Sequence, residues 1–397
     1  CRTIIEKGPV SNAHLIMIIT VVSDVLGKEN NGTTIAAMNL IRTLKSKGHE
    51  VRVICPDDDK RGQEGYFIAD RMNFGIFNRY VRKNGVTIAK ADKEMIADAI
   101  KGSDAVHVII PFSLGKAAAL YAHENGIALT AGFHCQAENI TGHLFMKDFS
   151  LANRIAYKAL YRRVFKYCDF IHYPTQFICD VFEGVVGPTP RRVISNGVNS
   201  EFKPMQVTRP EGWRDKFVIL FTARYSPEKS HNILVEAVSL SKHKDKIQLI
   251  FAGTGPKRKA LEKQSEKLGI IPPIMRFFSR KDLLKVINAA DLYVHPAEIE
   301  IESIAALEAI ACGKVPVIAD SPRSATRYFA LTENNLFRYD DPQDLADKID
   351  YWLDNPDDLK KCRELYKGFS KKFDFNYCMD RMEEMIVEAV ELKRSEK

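Results

Sequence analysis

Asp291-Leu-Tyr-Val-His-Pro296-Ala-Glu-Ile-Glu300-Ile-Glu302-Ser-Ile-Ala-Ala-Leu-Glu308-Ala-Ile-Ala-Cys-Gly313-Lys-Val-Pro-Val-Ile-Ala319 is the stretch whose reading decides the fold. Its first apolar run ends at a proline and reads as a buried strand, Lys314 to Ala319 reads as the next strand, and the alanine-rich segment between them reads as a helix. Strand, helix, strand is the unit of a parallel sheet. The same stretch sets two carboxylates eight residues apart where strand becomes helix. Eight residues are a little over two helical turns, so Glu308 is expected on the face on which Glu300 opens the helix. In open α/β sheets, ligands bind outside the carboxyl ends of the strands, where this pair would lie. Glu298, Glu300 and Glu302 also admit a plainer reading, as acids that complement a helix dipole. Glu308 resists it, because a solvated carboxylate is poorly placed within Ala305-Ala-Leu-Glu-Ala-Ile-Ala311.

The alternation extends in both directions. Strands are expected at Met17–Ser23, Glu50–Cys55, Ala105–Ile109, Ala128–Phe133 and Phe170–Tyr173, with helices such as Thr33–Lys47, Gly115–Asn125 and Ala152–Lys166 between them. A second series is expected at Lys216–Thr222, Lys246–Phe251, Ile274–Phe277, Leu292–His295 and Val315–Ala319. The turn-rich segment Ser195-Asn-Gly-Val-Asn-Ser-Glu-Phe-Lys-Pro204 and the polar stretch to Arg214 separate the two series. The pattern predicts an α/β protein of two doubly wound, parallel-sheet domains, residues 17–200 and 215–372, joined by a linker at 201–214. Strand ends of both would face one central cleft, a place for a large ligand held from two sides. Residues 373–397 are expected to form a C-terminal helix free to cross back to the first domain.

At 397 residues the chain exceeds one ordinary core, which agrees with two domains of roughly 150 to 200 residues. No stretch approaches the roughly 20 apolar residues needed to span a bilayer. The run Leu15–Val22 follows Arg2 and Lys7 as a signal peptide would, but Ser23-Asp24 and Asn30-Asn-Gly-Thr-Thr34 replace a small-residue cleavage site. Met17 is a candidate start, with residues 1–16 an extension that contributes little to the fold. The cysteines form no CxxC or metal-ligand spacing, which points to unbridged thiols in a reducing cytosol. A net charge of +7 favours anionic partners such as membranes, nucleic acid or phosphorylated substrates. No RNA-binding signature or zinc-finger spacing accompanies it, and nucleic acid is not expected as a partner.

Several loops carry chemistry. Gly32 and Thr33 open the first helix, where backbone N–H groups can approach an anion, although a helix cap without a ligand looks the same. Arg224 and Lys229 follow the first strand of the second half, one able to fork onto two phosphate oxygens and the other to act as a point charge. Gly253 and Gly255 end the next strand and would let a base or phosphate approach closely; a plain turn would also use them. His134 follows an apolar strand of the first half, placed to meet a substrate hydroxyl or to be satisfied by backbone groups. Arg154, Lys158, Arg162, Arg163 and Lys166 stud a helix that also carries Leu151, Ile155, Leu160, Val164 and Phe165. That composition suits an anionic membrane surface, or a basic solvent face on a helix whose other side packs in the core.

In this order and spacing the segments resemble the retaining family 4 glycosyltransferases of GT-B architecture, from Met17 onward. The resemblance rests on Arg224 with Lys229, on Gly253 to Pro256, and on Glu300 with Glu308 followed by Ala311-Cys-Gly313 and Pro316-Val. It implies two Rossmann-like domains with a nucleotide-sugar donor held by the second and an acceptor approaching from the first, without a metal or other cofactor. Arg224 and Lys229 would bind the donor diphosphate, Glu308 the ribose hydroxyls, and Glu300 the transferred sugar. Ile301, Glu302, Ser303 and Ile304 would border the donor, His134 would meet the sugar, and the Gly32–Thr33 loop would approach the diphosphate and acceptor. Fixed cations and helix N-termini are what a departing diphosphate needs.

Three departures stand out: Ile301-Glu302-Ser303 replace glycines usual after the first glutamate, Ser230 stands where glycine commonly follows the lysine, and the first loop has one glycine where two are frequent. Glu298-Ile-Glu-Ile-Glu-Ser-Ile304 and Cys312 to Ser321 look most like enzymes that glycosylate diacylglycerol in bacterial membranes. The resemblance therefore implies transfer of a hexose, glucose from UDP-glucose, to a lipid acceptor such as diacylglycerol, by a cytoplasmic protein peripheral to the inner face of the plasma membrane. The alternatives are a glycosyltransferase of surface polysaccharide or polyprenyl-linked glycan synthesis and, from another class, a nucleotide-sugar epimerase.

Overall fold

A run that is apolar at successive positions, such as Ile247–Ala252, is stable only when both of its faces are covered, and parallel sheets with helical crossovers supply that cover. The computed structural model describes residues 16–24, 26, 32–73, 89–142 and 148–396 and contains two such sheets. Residues 1–15 of the expected extension and Asn30-Asn31 lie outside the described residues. In the first sheet the strands are β1 (Ile18–Val22), β2 (Glu50–Cys55), β3 (Tyr66–Ile68), β4 (Ala105–Val108), β5 (Ala128–Gly132), β6 (Phe170–Tyr173) and β7 (Arg191–Val193), in the order β3-β2-β1-β4-β5-β6-β7. In the second they are β8 (Phe217–Thr222), β9 (Ile247–Ala252), β10 (Ile274–Arg276), β11 (Leu292–His295), β12 (Val315–Asp320) and β13 (Leu336–Arg338), in the order β10-β9-β8-β11-β12-β13.

Among the described residues every pairing between these strands is parallel. The protein is thus α/β with two Rossmann-like domains. Each sheet grows outward in both directions from one central pair, β1 with β4 and β8 with β11, so the crossovers leave in opposite directions and open a crevice at the carboxyl ends of those strands. The sequence expectations miss β3, β7 and β13, each of three residues. β3 and β7 are edge strands with no fully buried residue, so neither presents the apolar run that marks an interior strand.

The chain does not end on the second domain. The helix Phe375–Ser395 packs Met379, Met382, Met385, Ile386 and Ala389 into the core of the first sheet, against β4, β5 and β6. Glu383 anchors it there, bonding His49 at 2.8 Å and pairing with Lys47. The chain entering this helix also touches the interdomain segment, where Val198 N–H donates to the Phe373 carbonyl at 2.8 Å.

Two of the serines that stand where glycine is frequent adopt the backbone that glycine would favour. Ser230 has φ 53° and precedes the helix His231–Leu240; Ser303 has φ 72° and caps the helix Ile304–Ala311 through a bond from Ala306 N–H. Left-handed backbone costs a residue with a Cβ about 1–2 kcal/mol, so the local fold overrides the side chain's preference at both.

Two stability outcomes follow from these contacts. Ser230→Gly and Ser230→Ala both remove the hydroxyl, and the glycine variant is expected to be the more stable by about 1 kcal/mol in urea unfolding, because only it relieves the left-handed strain. Equal stability of the two would remove the strain argument. Ile386→Ala deletes a fully buried side chain at the seam between the terminal helix and the first sheet and is expected to cost about 3 kcal/mol, read as an earlier unfolding midpoint.

Candidate functional site

At the carboxyl ends of β8 and β11 the structure brings Lys229, His295 and Glu300 together. Arg224 lies two residues past β8, and Lys229 ends the short turn Pro227–Lys229 that follows. Lys229 Nζ is 2.6 Å from Glu300 Oε1, and His295 Nε2 is 3.1 Å from the same oxygen. His295 closes β11 and is fully buried; its Nδ1 faces the Tyr293 hydroxyl at 3.3 Å. Burial alone would raise the Glu300 carboxyl, yet Lys229 and His295 hold it down at about 2. Burial keeps His295 below the ordinary histidine range despite its carboxylate neighbour. The result is a partly buried anion–cation pair with a neutral imidazole behind it.

Glu300 does not open the helix, contrary to the eight-residue spacing argument. The helix begins at Ile304, and Glu300 instead bridges to Ser324 beyond β12. Its N–H reaches the Arg323 carbonyl at 3.4 Å, and its carbonyl receives Ala325 N–H at 2.8 Å. The intervening residues turn the chain, so Glu308 sits in the middle of the helix and Glu300 on a separate strand-like segment. Glu308 is 9% exposed, and burial pushes its carboxyl up to about 8, with Arg280 pulling the other way. A carboxyl so raised is poised to change state when a hydrogen-bond donor arrives.

The turn between Glu300 and Glu308 serves two directions. Among the described residues, the backbone N–H groups of Ile301, Glu302, Ser303 and Ile304 donate to no other residue, leaving a row of unengaged donors at a helix N-terminus. The side chain of Glu302 does not border that row. It turns to the first domain, where its Oε2 accepts from Asn196 N–H at 3.1 Å and Asn196 Nδ2 at 2.6 Å, and burial pushes it up to about 7. Ile301 is likewise drawn across: its carbonyl accepts from Thr175 Oγ1 at 2.8 Å and its side chain packs on the first domain's core.

Gly253 and Gly255 are fixed by packing within the protein. A Cβ at Gly253 would come within 2.0 Å of the Ala223 carbonyl oxygen, and one at Gly255 within 2.5 Å of Tyr225 N. The loop after β9 therefore lies flat against the Arg224 loop, tied by Tyr225 N–H to the Thr254 carbonyl at 2.9 Å and Lys257 N–H to the Tyr225 carbonyl at 3.1 Å. The closest approach these glycines permit is between two site loops, which sets where Arg224 leaves the sheet.

In the first domain, His134 lies just beyond β5 beside two histidines that the sequence reading passed over. Its ring is 5.6 Å from that of His172, and the space beside Gly132 is filled by the His134 ring, with His107 Nε2 close by. His107 Nδ1 bonds Thr130 Oγ1 at 2.8 Å, and His172 Nε2 bonds the Ile194 carbonyl at 2.6 Å. Burial holds all three below the ordinary range, aided at His107 and His134 by the neighbouring rings and opposed at His172 by the bond to the Ile194 carbonyl, with His107 at about 3 and His172 at about 4. His134 is thus a neutral group just past the carboxyl end of β5. Gly32 and Thr33 form the first turn of the helix Gly32–Ser46, which carries no acidic residue there.

Arg323 was not expected and joins the domains. Its guanidinium meets Asp148 of the first domain at 2.7 Å and buried Glu298 of the second at 3.2 Å, while its carbonyl accepts from Gln136 Nε2 at 3.2 Å as well as from Glu300 N–H. A contact made through a backbone carbonyl leaves no residue-type signature in sequence. Among the described residues no group of three His, Cys, Asp or Glu side chains is placed to hold a metal ion.

Comparison with known proteins matches residues 30–202 to the model of Glycosyltransferase Family 4 and residues 208–368 to that of Glycosyl transferases group 1. The alpha-monoglucosyldiacylglycerol synthase of Streptococcus pneumoniae is 25% identical over 229 residues, 54% of this chain and 51% of that protein, so the match spans about half its length. A GDP-mannose-dependent alpha-mannosyltransferase of Mycolicibacterium smegmatis is 26% identical over 318 residues, 76% of this chain and 79% of that protein. The crystal structure of Anabaena HepE in complex with UDP and glucose superimposes with a TM-score of 0.74 at 17% identity, covering 94% of this chain and 100% of that one. One model falls on each sheet domain, the architecture is that of GT-B, and the chain belongs to the family 4 glycosyltransferases.

Proposed function

We propose that this glycosyltransferase moves glucose from UDP-glucose to a membrane lipid such as diacylglycerol, with retention of configuration, at the cytoplasmic face of the membrane. The observation that carries the reading is the meeting of Lys229, His295 and Glu300 where the strand order of the second sheet reverses. Likeness to the pneumococcal glucosyldiacylglycerol synthase supports the donor sugar and the acceptor.

In this reading the diphosphate displaces Glu300 from Lys229 and accepts from Lys229, Arg224 and the backbone N–H groups of Ile301 to Ile304. Gly32 and Thr33 close on it from the first domain. Glu300, released, accepts from hydroxyls of the glucose, His134 donates or accepts from across the cleft, and Glu308 takes the ribose hydroxyls. The bond from the anomeric carbon to the diphosphate breaks with its electron pair going to the phosphate oxygen. The acceptor oxygen bonds the same carbon from the same face and passes its proton to the leaving phosphate. Charge develops on the diphosphate, where fixed donors in a partly desolvated site lower the barrier most.

A donor screen with UDP-glucose and GDP-mannose, read by release of the nucleoside diphosphate with and without lipid extract and by NMR of the anomeric product, tests the reading. The mannosyltransferase relative makes GDP-mannose the second donor to include. Lipid-dependent release from UDP-glucose giving an α-glucolipid is expected; release from GDP-mannose alone would replace the donor assignment. Lys229→Ala is expected to lower kcat/KM by about 10²–10³-fold, with the fold checked by circular dichroism. Unchanged turnover would remove the diphosphate role of Lys229.

Glu308 supplies a pH outcome. Its carboxyl sits at about 8 in the ligand-free protein, and ribose hydroxyls donate to the ionised form, so binding releases a proton. UDP affinity, measured by calorimetry, is expected to rise from pH 7 towards 9 and level off above the carboxyl's ligand-free value. Glu308→Gln should bind more weakly with a flat profile over that range. The diphosphate, with a last phosphate pKa of about 6, is already ionised there and adds no slope.

A further inference from the structure

Glu308 is a carboxyl buried on an otherwise apolar helix, and an ionised carboxylate in such a place needs a cation to face. Two charged groups act on it: Arg280, which favours the ionised form, and Glu201, which opposes it. Tyr293 on β11 and Cys312 at the end of the same helix also feel its charge. Burial holds the Tyr293 hydroxyl well above its ordinary value and pushes the Cys312 thiol up to about 12, so both stay neutral where Glu308 titrates. Among the described residues, β12 and the helix Pro356–Ser370 also pack on this helix, and neither brings a charge to the carboxyl.

Arg280 is already committed elsewhere. It is the first residue of the helix Arg280–Ala289, beyond the carboxyl end of β10, and its guanidinium pairs with Glu201 of the segment that joins the domains. That segment is seated between two helices of the second domain. Phe202 is buried in the core with the Arg280 guanidinium over its ring at 5.3 Å. Asn288, on the same helix as Arg280, accepts from Met205 N–H at 2.9 Å and donates to the Lys203 carbonyl at 3.3 Å. Pro204 lies where a Cβ on Gly313, just past the helix of Glu308, would meet it at 3.4 Å. The backbone around Glu201 is therefore fixed beside both helices. The ion pair itself is 39% and 43% exposed, so water screens it and it can exchange partners at little cost.

We infer that Arg280 is a positioning residue for the donor: it is the counter-ion reserved for Glu308, and Glu201 of the interdomain segment holds it until a ribose draws on the carboxyl. The inference rests on the reading in which Glu308 takes the ribose hydroxyls. Those hydroxyls donate to an ionised carboxyl, and the anion so formed attracts the guanidinium away from Glu201 as the donor seats. Glu201 thus weakens donor binding, and its removal strengthens it. A residue kept only to fasten the interdomain segment would act the other way, since breaking a fastening loosens the site it supports.

The experiment titrates the Glu308 carboxyl in the ligand-free full chain by its infrared C=O band, and measures UDP affinity by calorimetry across the same pH range. The band is identified as the one lost in Glu308→Gln, which separates it from Glu302, whose carboxyl at about 7 titrates nearby. Glu201→Gln is expected to lower the midpoint by about half a pH unit and to bind UDP about threefold more tightly at neutral pH. Arg280→Gln should raise the midpoint by about as much and bind about threefold more weakly, while Arg280→Lys, which keeps the charge, stays nearer wild type. Midpoints that do not move, or that move the same way in Glu201→Gln and Arg280→Gln, would overturn the inference; wild-type UDP affinity that still follows pH would then leave the ribose reading standing. Opposite shifts that UDP affinity does not follow would uphold the counter-ion role and remove the ribose from Glu308. If Arg280→Gln fails to fold, Glu201→Gln decides alone, and a midpoint that stays or rises in it sinks the idea.

Discussion

Reversal of strand order between β8 and β11 is the constraint on which the rest of the second domain depends. Because β8 feeds its crossover one way and β11 the other, the carboxyl ends of two neighbouring parallel strands stand side by side with no connection covering them. Lys229 from the first and Glu300 from the second can meet only there. The same gap exposes the first turn of the helix Ile304–Ala311 and its unengaged N–H groups. Packing requirements then propagate outward: the two loop glycines hold the Arg224 segment against the loop after β9, and Ser230 accepts a left-handed backbone so that the next helix can start immediately behind Lys229.

Much of the fold is legible in the amino-acid order because burial on both faces demands continuous apolar runs. The nine interior strands announce themselves, and the edge strand β10 with them, whereas β3, β7 and β13 are short, and pairing on an exposed edge places few demands on residue type. The chemistry of Lys229 and Glu300 is visible one residue at a time, but their meeting is a property of topology. His295 is hidden for a different reason: a histidine in an apolar strand looks like a satisfied core residue until the carboxylate beside it is seen. Arg323 acts partly through its carbonyl, which any residue possesses.

The side-chain directions that local pattern leaves open share a cause as well. Glu302 and Ile301 sit beside a helix start, and local pattern cannot tell which of two domains claims them. Leu151 and Ile155 have the spacing of a core face, yet both are exposed, because which arc of a helix is covered depends on where the helix docks, a long-range outcome. Local sequence thus specifies what each element is, and the contacts between distant elements decide what each side chain faces.

The Lys229–Glu300 contact has a consequence for selectivity among anions. In the absence of a ligand the lysine already holds a carboxylate at 2.6 Å, itself held by His295, so the site carries its own counter-ion. A small anion without hydroxyl groups, such as sulfate, would have to displace that carboxylate with nothing to offer it in return. A ligand that brings both an anion for the lysine and hydroxyl groups for the freed glutamate satisfies both partners of the broken pair. Under the proposed role of Lys229, free phosphate thus competes with a counter-ion already in place, and a nucleotide stripped of its sugar would meet the same carboxylate returning.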